Sequence, residues 1–222
     1  MTYQENEERK DFDDFFLVYR RFAKVSQLKD PSQIKVYQAI ARCYGVGKAI
    51  LDAGCGMGIG TNILGQEAVG AWGVDLNPRN IEVATQMFES RKIKFQELDL
   101  TGEWPRPFAT FDVIVCCEVI EHVKDYDAVL NGLKKFYDPK RRSVFFISSP
   151  NRNNSRIADD KPKNVHHVRE WTAGEFYEVL TKHFKTVVMF SAAKLDDFSQ
   201  DETVDGNTTD TPILAKCEDP IL

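Results

Sequence analysis

The stretch from Ala49 to Thr61 constrains this chain more than any other part of it. It begins as a short apolar run, which is typical of a buried strand, and then places glycine at three alternate positions, Gly54, Gly56 and Gly58. Glycine allows a backbone to turn sharply and to approach a ligand closely. A strand, a glycine-rich turn and the start of a helix form the unit that holds nucleotides in α/β proteins. The stretch therefore predicts an α/β fold with a nucleotide site at this turn.

The spacing of the glycines differs from the dinucleotide-binding fingerprint, which is G-x-G-x-x-G. Counted from Gly54, that fingerprint needs glycine where Ile59 stands, and counted from Gly56 it needs glycine where Thr61 stands. An NAD-dependent dehydrogenase is therefore disfavoured. The pattern that is present, D-x-G-x-G-x-G beginning at Asp52, resembles motif I of the class I S-adenosylmethionine-dependent methyltransferases.

Two further acids follow in the order that an adenosyl cofactor would need. Asp75 ends a second short apolar run, about twenty residues beyond the glycines, where an acid for ribose hydroxyls is expected. A carboxylate can accept hydrogen bonds from both of those hydroxyls. Asp99 ends an alternating, strand-like segment, and the family resemblance implies that an acid there contacts the adenine edge. The alternative for Asp99 is an aspartate that only forms a turn.

The methyltransferase resemblance covers about residues 35–217 and implies both a fold and a set of cofactor contacts. The fold is α/β and Rossmann-like, with a seven-stranded, mostly parallel sheet, an antiparallel C-terminal hairpin and helices on both faces. The resemblance implies that S-adenosyl-L-methionine is bound by Asp52, Ala53, Gly54, Cys55, Gly56, Gly58, Asp75, Leu76, Asp99, Leu100 and Cys117.

The hydrophobic pattern divides the chain into an N-terminal extension and one domain. With 222 residues, of which 42% are hydrophobic, one core is expected, and we assign it to residues 31–222. Within residues 1–30, Tyr19 and Phe22 belong to an apolar series at helical spacing. This predicts a helical extension that either covers the site as a lid or packs on the sheet.

Two features of the C-terminal half bear on the substrate and on local structure. Residues 149–164 are polar and long for an ordinary connection, so they are a candidate substrate loop. Thr172 and Glu175 have the spacing of a capping box, which predicts the start of a helix.

Composition limits the class of partner and the compartment. The formal net charge of −5 disfavours a dedicated nucleic-acid binder. Five cysteines without a C-x-x-C motif predict a reduced, intracellular protein. The first ten residues are charged and carry no apolar signal core, and no apolar run approaches the roughly 18 residues needed to span a bilayer. We therefore expect a cytoplasmic protein without a membrane span, and we leave its oligomeric state open.

A cluster of acids and histidine follows the fourth predicted strand, which ends at Cys117. It consists of Glu118, Glu121 and His122, and the carboxyl ends of parallel strands are where ligands bind. If the segment turns, these side chains lie one turn apart. A histidine from the loop after the fifth strand could complete a four-ligand site for Mg²⁺, Mn²⁺, Fe²⁺, Co²⁺ or Zn²⁺. The alternatives are hydrogen bonds to loop amides, or His122 acting alone as a general base.

Three short motifs narrow the resemblance: E-x-x-E-H at 118–122, S-x-P-N at 148–151 and H-x-x-E-W at 167–171. Together they are similar to the Hen1-type small-RNA 2′-O-methyltransferases, in which two glutamates and two histidines hold a divalent ion that binds the terminal ribose hydroxyls. E-x-x-E-H is also similar to the ubiquinone-pathway O-methyltransferases. Arg169 departs from the aromatic residue usual before Glu-Trp in the RNA enzymes. The resemblance implies the metal ligands Glu118, Glu121, His122 and His167.

These patterns favour O-methylation of a small-molecule hydroxyl of the sugar, phenol or natural-product type, with Glu121 and His122 as catalytic residues and with possible metal assistance. RNA 2′-O-methylation of the Hen1 type is an alternative, which the acidic net charge and Arg169 disfavour. A second alternative is a non-catalytic protein that binds S-adenosylmethionine and acts through a partner. Methylation of base nitrogens is less expected, because the Asn/Asp-Pro-Pro-aromatic signature of those enzymes is missing after the fourth strand.

Overall fold

A computed structural model describes residues 32–102, 109–154, 162 and 164–222. Within them, seven strands form one sheet: β1 (Ala49–Ala53), β2 (Gly70–Asp75), β3 (Ile93–Glu97), β4 (Val113–Cys117), β5 (Val144–Ser149), β6 (Phe184–Ser191) and β7 (Ile213–Pro220). Their order across the sheet is β3-β2-β1-β4-β5-β7-β6. Strands β1 to β5 pair in parallel, whereas β7 pairs antiparallel with both β5 and β6. This confirms the predicted mostly parallel sheet with an antiparallel C-terminal hairpin.

Five helices lie among the described residues: α1 (Ser32–Ile40), α2 (Ile59–Glu67), α3 (Pro78–Phe88), α4 (Tyr126–Lys134) and α5 (Ala173–Thr181). A π-helical turn over Ala41–Gly45 continues α1, and short 3₁₀ helices cover Ile120–His122, Arg152–Asn154 and Gln200–Glu202. None of the helices in this part of the chain has the length and apolar character needed to cross a bilayer.

The two faces of the sheet carry separate hydrophobic cores, because successive side chains of a strand point to opposite faces. On β4, Ile114 and Cys116 pack with residues of α4 and α5, while Val113 and Cys117 pack with residues of α1 and α2. All five residues of β4 are buried, as expected for a central strand with helices on both sides. The prediction of helices on both faces is confirmed.

The strand order reverses direction at β1, and this positions the site. From β1 the chain first adds β2 and β3 on one side and then crosses back to add β4 and β5 on the other. In open α/β sheets ligands bind at such a switch point, outside the carboxyl ends of the strands. The glycine turn after β1, Asp75 at the end of β2 and the Glu/His segment after β4 therefore share one edge of the sheet.

A side-chain cap fixes the start of α3 at Pro78, because the Asn77 side chain accepts a hydrogen bond from the backbone N–H of Arg79 at 3.0 Å. The predicted N-terminal helical lid, with Tyr19 and Phe22, lies outside the described residues, as does part of the candidate substrate loop.

The start of α5 is fixed by the predicted capping box. The Thr172 hydroxyl accepts a hydrogen bond from the Glu175 backbone N–H at 3.2 Å, and the Glu175 carboxylate accepts one from the Thr172 N–H at 2.8 Å. These two bonds satisfy backbone donors that a helix N-terminus otherwise leaves unpaired. The capping box predicted from the sequence is confirmed.

Replacing the capping hydroxyl should weaken α5. We expect Thr172→Ala to lower the free energy of unfolding by about 1 kcal/mol, because the Glu175 N–H loses its partner. Thr181→Ala is the control, since Thr181 lies at the other end of the same helix and removes no N-terminal cap. Urea denaturation of both variants measures the difference, and equal unfolding free energies would contradict the capping role.

Candidate active site

The glycine turn after β1 is bound to the neighbouring strand and packed against the segment after β4. The backbone N–H groups of Gly54 and Cys55 both donate to the Val74 carbonyl, at 2.7 and 2.9 Å. Gly54 has a φ of +77°, and a Cβ built on it would lie 2.3 Å from a methyl carbon of Val119. Only glycine satisfies both conditions at this position.

Gly56, two residues further along, faces open space instead. Its φ is +52°, and a Cβ placed on it would meet no heavy atom within 4 Å. Its N–H donates to the Asp75 carboxylate at 2.9 Å, which joins the turn to the end of β2. Because Gly56 has no side chain and the space beside it is open, a cofactor could lie directly against the backbone of the turn.

Asp75 is held in place by three hydrogen bonds from the described residues. Its Oδ2 accepts from Gly56, and its Oδ1 accepts from the Asn77 N–H at 2.9 Å and the Asn80 side-chain amide at 3.1 Å. A carboxylate offers about four lone-pair positions, so one remains on Oδ2 for a ligand hydroxyl. The Asp75 carboxylate is therefore held in one orientation and can still accept a hydrogen bond from a sugar hydroxyl.

A cavity of about 340 Å³ joins these residues to the Glu/His segment. This volume lies within the range of small-molecule sites. Five of the predicted cofactor residues line it together with the proposed catalytic histidine: Gly54, Asp75, Leu76, Asp99, Leu100 and His122. Sequence reasoning missed other lining residues, among them Val119, Val123 and Lys124, because no motif encodes the path of the chain after β4.

Of the two roles that the sequence left open for Asp99, the structure shows the turn. Its Oδ1 accepts hydrogen bonds from the backbone N–H and the hydroxyl of Thr101, at 2.8 and 2.7 Å, so it does form a turn. It also lines the cavity. A contact to adenine stays a prediction for this residue.

Several of the predicted cofactor residues lie in the core beneath the turn. Asp52 is completely buried and accepts hydrogen bonds from the Tyr37 hydroxyl at 3.0 Å and the Thr61 hydroxyl at 2.6 Å. Burial raises the pKa of Asp52 to about 6, although both hydrogen bonds oppose the shift. The side chains of Ala53, Cys55 and Cys117 are buried as well. Their contact with a cofactor stays a prediction.

Gly56 offers a direct test of the cofactor site. We expect Gly56→Ala to weaken binding of S-adenosylhomocysteine at least tenfold, because the added Cβ enters the open space beside the turn. Gly47→Ala is the matched control, since Gly47 also has a positive φ of +69° and no neighbour within 4 Å, but precedes β1 at the opposite edge of the sheet. Both changes strain the backbone by about 1 kcal/mol. Titration calorimetry compares the affinities, and equal losses in both variants would contradict the assignment.

The buried carboxyl of Asp52 should make stability depend on pH. Its folded-state pKa of about 6 lies above the model-peptide value near 3.9, so the folded protein holds this proton more tightly than the unfolded chain does. Wild-type stability should therefore fall, relative to Asp52→Asn, as pH rises from 4 to 7. The expected change is on the order of 3 kcal/mol. Chemical denaturation across this range tests it, and parallel pH profiles would refute it.

The Glu/His segment after β4 brings three possible metal ligands together. One ligand atom each of Glu121, His122 and His167 lies within 4.8 Å of the others. The His122 Nε2 is 3.9 Å from the Glu121 carboxylate. Two of these residues come from the 3₁₀ helix after β4, and the third comes from the loop after β5.

Glu121 is the least satisfied group in this cluster. Its side chain is completely buried, and neither carboxylate oxygen has a hydrogen-bond partner within the part of the chain that the structure describes. Burial, followed by the nearby charge of Glu118, raises the pKa of Glu121 to about 9. A buried carboxylate without partners is costly, and a bound cation would offset that cost.

Glu118, the fourth predicted ligand, is engaged elsewhere. It has a positive φ of 56°, and its Oε1 accepts a hydrogen bond from the Ser148 hydroxyl at 2.8 Å. Burial raises the pKa of Glu118 to about 7. It therefore stands beside the three-residue cluster, close enough to affect Glu121 electrostatically, and its role as a metal ligand stays a prediction.

The loop that carries His167 is attached to the 3₁₀ helix by backbone contacts. The N–H of Val168 donates to the Glu121 carbonyl at 2.8 Å, and the ring Nδ1 of His122 lies 3.1 Å from the His166 carbonyl. The two imidazole rings meet edge to face, with centroids 4.7 Å apart. His166 contributes its backbone to this contact, whereas His167 contributes its ring.

The arrangement has the donor chemistry of a transition-metal site. A carboxylate and two imidazoles suit Mn²⁺, Fe²⁺, Co²⁺ or Zn²⁺ better than Mg²⁺, which prefers oxygen. A carbonyl acceptor at 3.1 Å means that Nδ1 of His122 carries the proton, so Nε2 offers a lone pair on the side of Glu121. Burial lowers the pKa of His122, which favours the neutral ring that metals bind.

Comparison with known proteins adds family information. The family model described as Methyltransferase domain matches residues 25–200. A probable S-adenosylmethionine-dependent methyltransferase of Mycolicibacterium smegmatis is 33% identical over 146 residues, which are 65% of this chain and 54% of that protein. A ubiquinone biosynthesis O-methyltransferase of Idiomarina loihiensis is 32% identical over 109 residues, which are 48% of this chain and 44% of that protein. The chain spans about half the length of these relatives.

Solved structures share the fold at lower sequence identity. A TehB-like SAM-dependent methyltransferase from Corynebacterium glutamicum matches 94% of this chain and 97% of its own, with a TM-score of 0.63 and 20% identity. The methyltransferase domain of a bacterial Hen1 matches 85% of this chain and 96% of its own, with a TM-score of 0.59 and 20% identity. At such identity these matches establish the fold alone.

Proposed function

Since this chain belongs to the methyltransferase-domain family, we propose that it transfers a methyl group from S-adenosyl-L-methionine to a hydroxyl group of a small molecule, with a divalent metal ion assisting. The family match confirms the resemblance to methyltransferases that Asp52 and the three glycines predicted. We infer the acceptor class and the metal from the site geometry described above.

The cavity beside the glycine turn supports the choice of cofactor. Gly54 of the turn and Asp75 at the end of β2 both line it. Among hydrogen bonds from the described residues, Oδ2 of Asp75 accepts only the one from Gly56, which leaves a lone pair for a ribose hydroxyl. Leu76, Asp99 and Leu100 line the same cavity, as an adenosine site at this sheet edge requires. When bound, the cofactor supplies an electrophilic methyl group on a sulfonium that is already a good leaving group.

The observation that carries the metal proposal is the buried, unpartnered carboxylate of Glu121 beside two imidazoles. Glu121, His122 and His167 would hold the ion, whereas Glu118 accepts a hydrogen bond from Ser148 beside them. An ion held there would supply Lewis-acid chemistry, which lowers the pKa of an acceptor hydroxyl. His122 also lines the cofactor cavity, so an acceptor on this cluster would face the methyl group.

The protein's own contribution to the reaction is alignment and proton handling. The backbone contacts between the loop at Val168 and the helix at Glu121 hold His167 beside His122, which lines the cavity. Such positioning converts a bimolecular step into one between oriented groups. The acceptor oxygen must lose a proton as it attacks, and a neutral His122 can take that proton if no metal is bound.

Two other functions remain as alternatives in the same site. A Hen1-type RNA 2′-O-methyltransferase would use the same Glu/His cluster, but the net charge of −5 disfavours a nucleic-acid substrate. A non-catalytic protein would bind S-adenosylmethionine without turnover. The buried Glu121 carboxylate, which has no hydrogen-bond partner among the described residues, favours an enzyme over a protein that only binds the cofactor. Burying such a group costs stability, and a role in catalysis would account for that cost.

Glu121→Gln tests the metal-assisted reaction. We expect Mn²⁺ to stimulate methyl transfer by the wild type and EDTA to abolish it, and we expect the variant to lose turnover roughly a hundredfold or more. The measurement is S-adenosylhomocysteine release with catechols, phenols, sugars and an RNA bearing a free 3′-terminal ribose. Turnover with small molecules supports the proposal, and turnover with RNA alone favours the Hen1-type alternative.

Two controls make this result specific. Glu178→Gln makes the same substitution at an exposed position of α5, and it should leave turnover unchanged. Binding of S-adenosylhomocysteine to Glu121→Gln should match the wild type, which separates loss of chemistry from loss of the cofactor site. Full activity of Glu121→Gln, with and without EDTA, would refute the metal role.

A further inference from the structure

We propose that Glu170 is a positioning residue, which fixes the tautomer and the orientation of His167 so that the ring offers its Nε2 to the metal. Glu170 is the glutamate of the H-x-x-E-W motif, to which the sequence assigns no role. This inference rests on the metal-assisted function proposed above.

The contact between the two side chains is short and shielded from solvent. The His167 Nδ1 lies 2.8 Å from the Glu170 Oε1, and the side chains are only 9% and 5% exposed. Little water competes for either group, so the carboxylate restrains the ring strongly. The pair occupies one turn of the loop after β5.

Hydrogen-bond direction identifies the tautomer of His167. The Asn164 Oδ1 accepts from the His166 backbone N–H at 3.0 Å, and because a backbone N–H can only donate, this atom is the amide oxygen. The Asn164 amide nitrogen therefore faces the His167 Nε2, at 2.9 Å. An amide NH₂ can only donate, so Nε2 is the unprotonated nitrogen, and Nδ1 carries the proton that it donates to Glu170.

The ring atom left with a lone pair is the one that a metal needs. Nε2 of His167 is the unprotonated nitrogen, and the ring belongs to the cluster with Glu121 and His122. A carboxylate behind a ligand histidine fixes the ring and makes it a more basic ligand. On metal binding, the Asn164 amide would give up its place on Nε2.

The two histidines of the cluster are oriented by different acceptors. The Nδ1 of His122 faces the carbonyl of His166, which no side-chain substitution removes. The Nδ1 of His167 faces a side chain, Glu170, which can be changed. Altering Glu170 therefore perturbs one ligand while the other keeps its support.

The test measures the Mn²⁺ affinity and the His167 tautomer in the 222-residue chain. Free Mn²⁺ is counted by electron paramagnetic resonance during titration of the wild type, Glu170→Gln and Glu170→Ala. We expect Mn²⁺ affinity to fall about tenfold in Glu170→Gln and up to about a hundredfold in Glu170→Ala. Glu178→Gln, the same substitution at an exposed position of α5, should bind Mn²⁺ like the wild type.

A spectroscopic readout separates positioning from a general loss of structure. Long-range proton–nitrogen NMR of the metal-free protein distinguishes protonated from unprotonated ring nitrogens, and His167→Gln assigns one of the four histidines. The wild type should show His167 protonated at Nδ1, and Glu170→Ala should populate the Nε2–H form. Retained affinity for S-adenosylhomocysteine shows that each variant is folded, and Glu170→Gln serves if the alanine variant is not.

Failure of the inference and failure of the proposed function give different results. A wild type protonated at Nε2, or variants that bind Mn²⁺ as tightly as the wild type does, would overturn the role of Glu170 and leave the metal site standing. A wild type that takes up no Mn²⁺ would overturn the proposed metal site and, with it, this inference.

Discussion

The rest of the structure depends on the close contact between two backbone segments that leave the sheet side by side. β1 and β4 are neighbouring parallel strands, so the turn at Gly54 and the segment at Val119 emerge at the same edge. The Val119 side chain occupies the space that a side chain on Gly54 would need, with 2.3 Å to an ideal Cβ. Gly54 of the turn and Val119 and His122 of the segment after β4 line one cavity.

Electrostatics gives that cavity its chemical character. Glu121 is completely buried and Glu118 is partly buried, and burial raises the pKa of both carboxyls, to about 7 for Glu118 and about 9 for Glu121. Glu118 has a hydroxyl partner in Ser148, whereas Glu121 has no hydrogen bond from the described residues. Proteins bury charge where a counter-charge or a metal compensates for it. The imidazoles of His122 and His167 would supply the remaining ligand atoms for such an ion. The proposed metal would thus compensate for the cost of burying the Glu121 carboxylate.

The organisation of the fold could be predicted because its signals are local. The glycine turn, the acid-terminated strands and the capping box at Thr172 each depend on residues close together in sequence, and the structure has all three.

The site was harder to predict in detail. Asp52 belongs to the predicted cofactor motif, yet its carboxylate is directed into the core toward Tyr37 and Thr61. Val119 and Lys124 line the cavity although no motif marks them.

By itself, the sequence determined the type of sheet, the glycine turn that borders the cavity and the kinds of side chain available for chemistry. It identified Glu118, Glu121, His122 and His167 as a group, but residue spacing carries no distances. The tertiary structure decided that three of them converge within 4.8 Å while Glu118 bonds to Ser148, and that Glu170 stands behind His167. The physical reason is that the three-residue cluster joins the 3₁₀ helix after β4 to a loop more than forty residues further along the chain, and that Glu118 and Ser148 are 30 residues apart. The packing of β4 beside β5 brings these segments together.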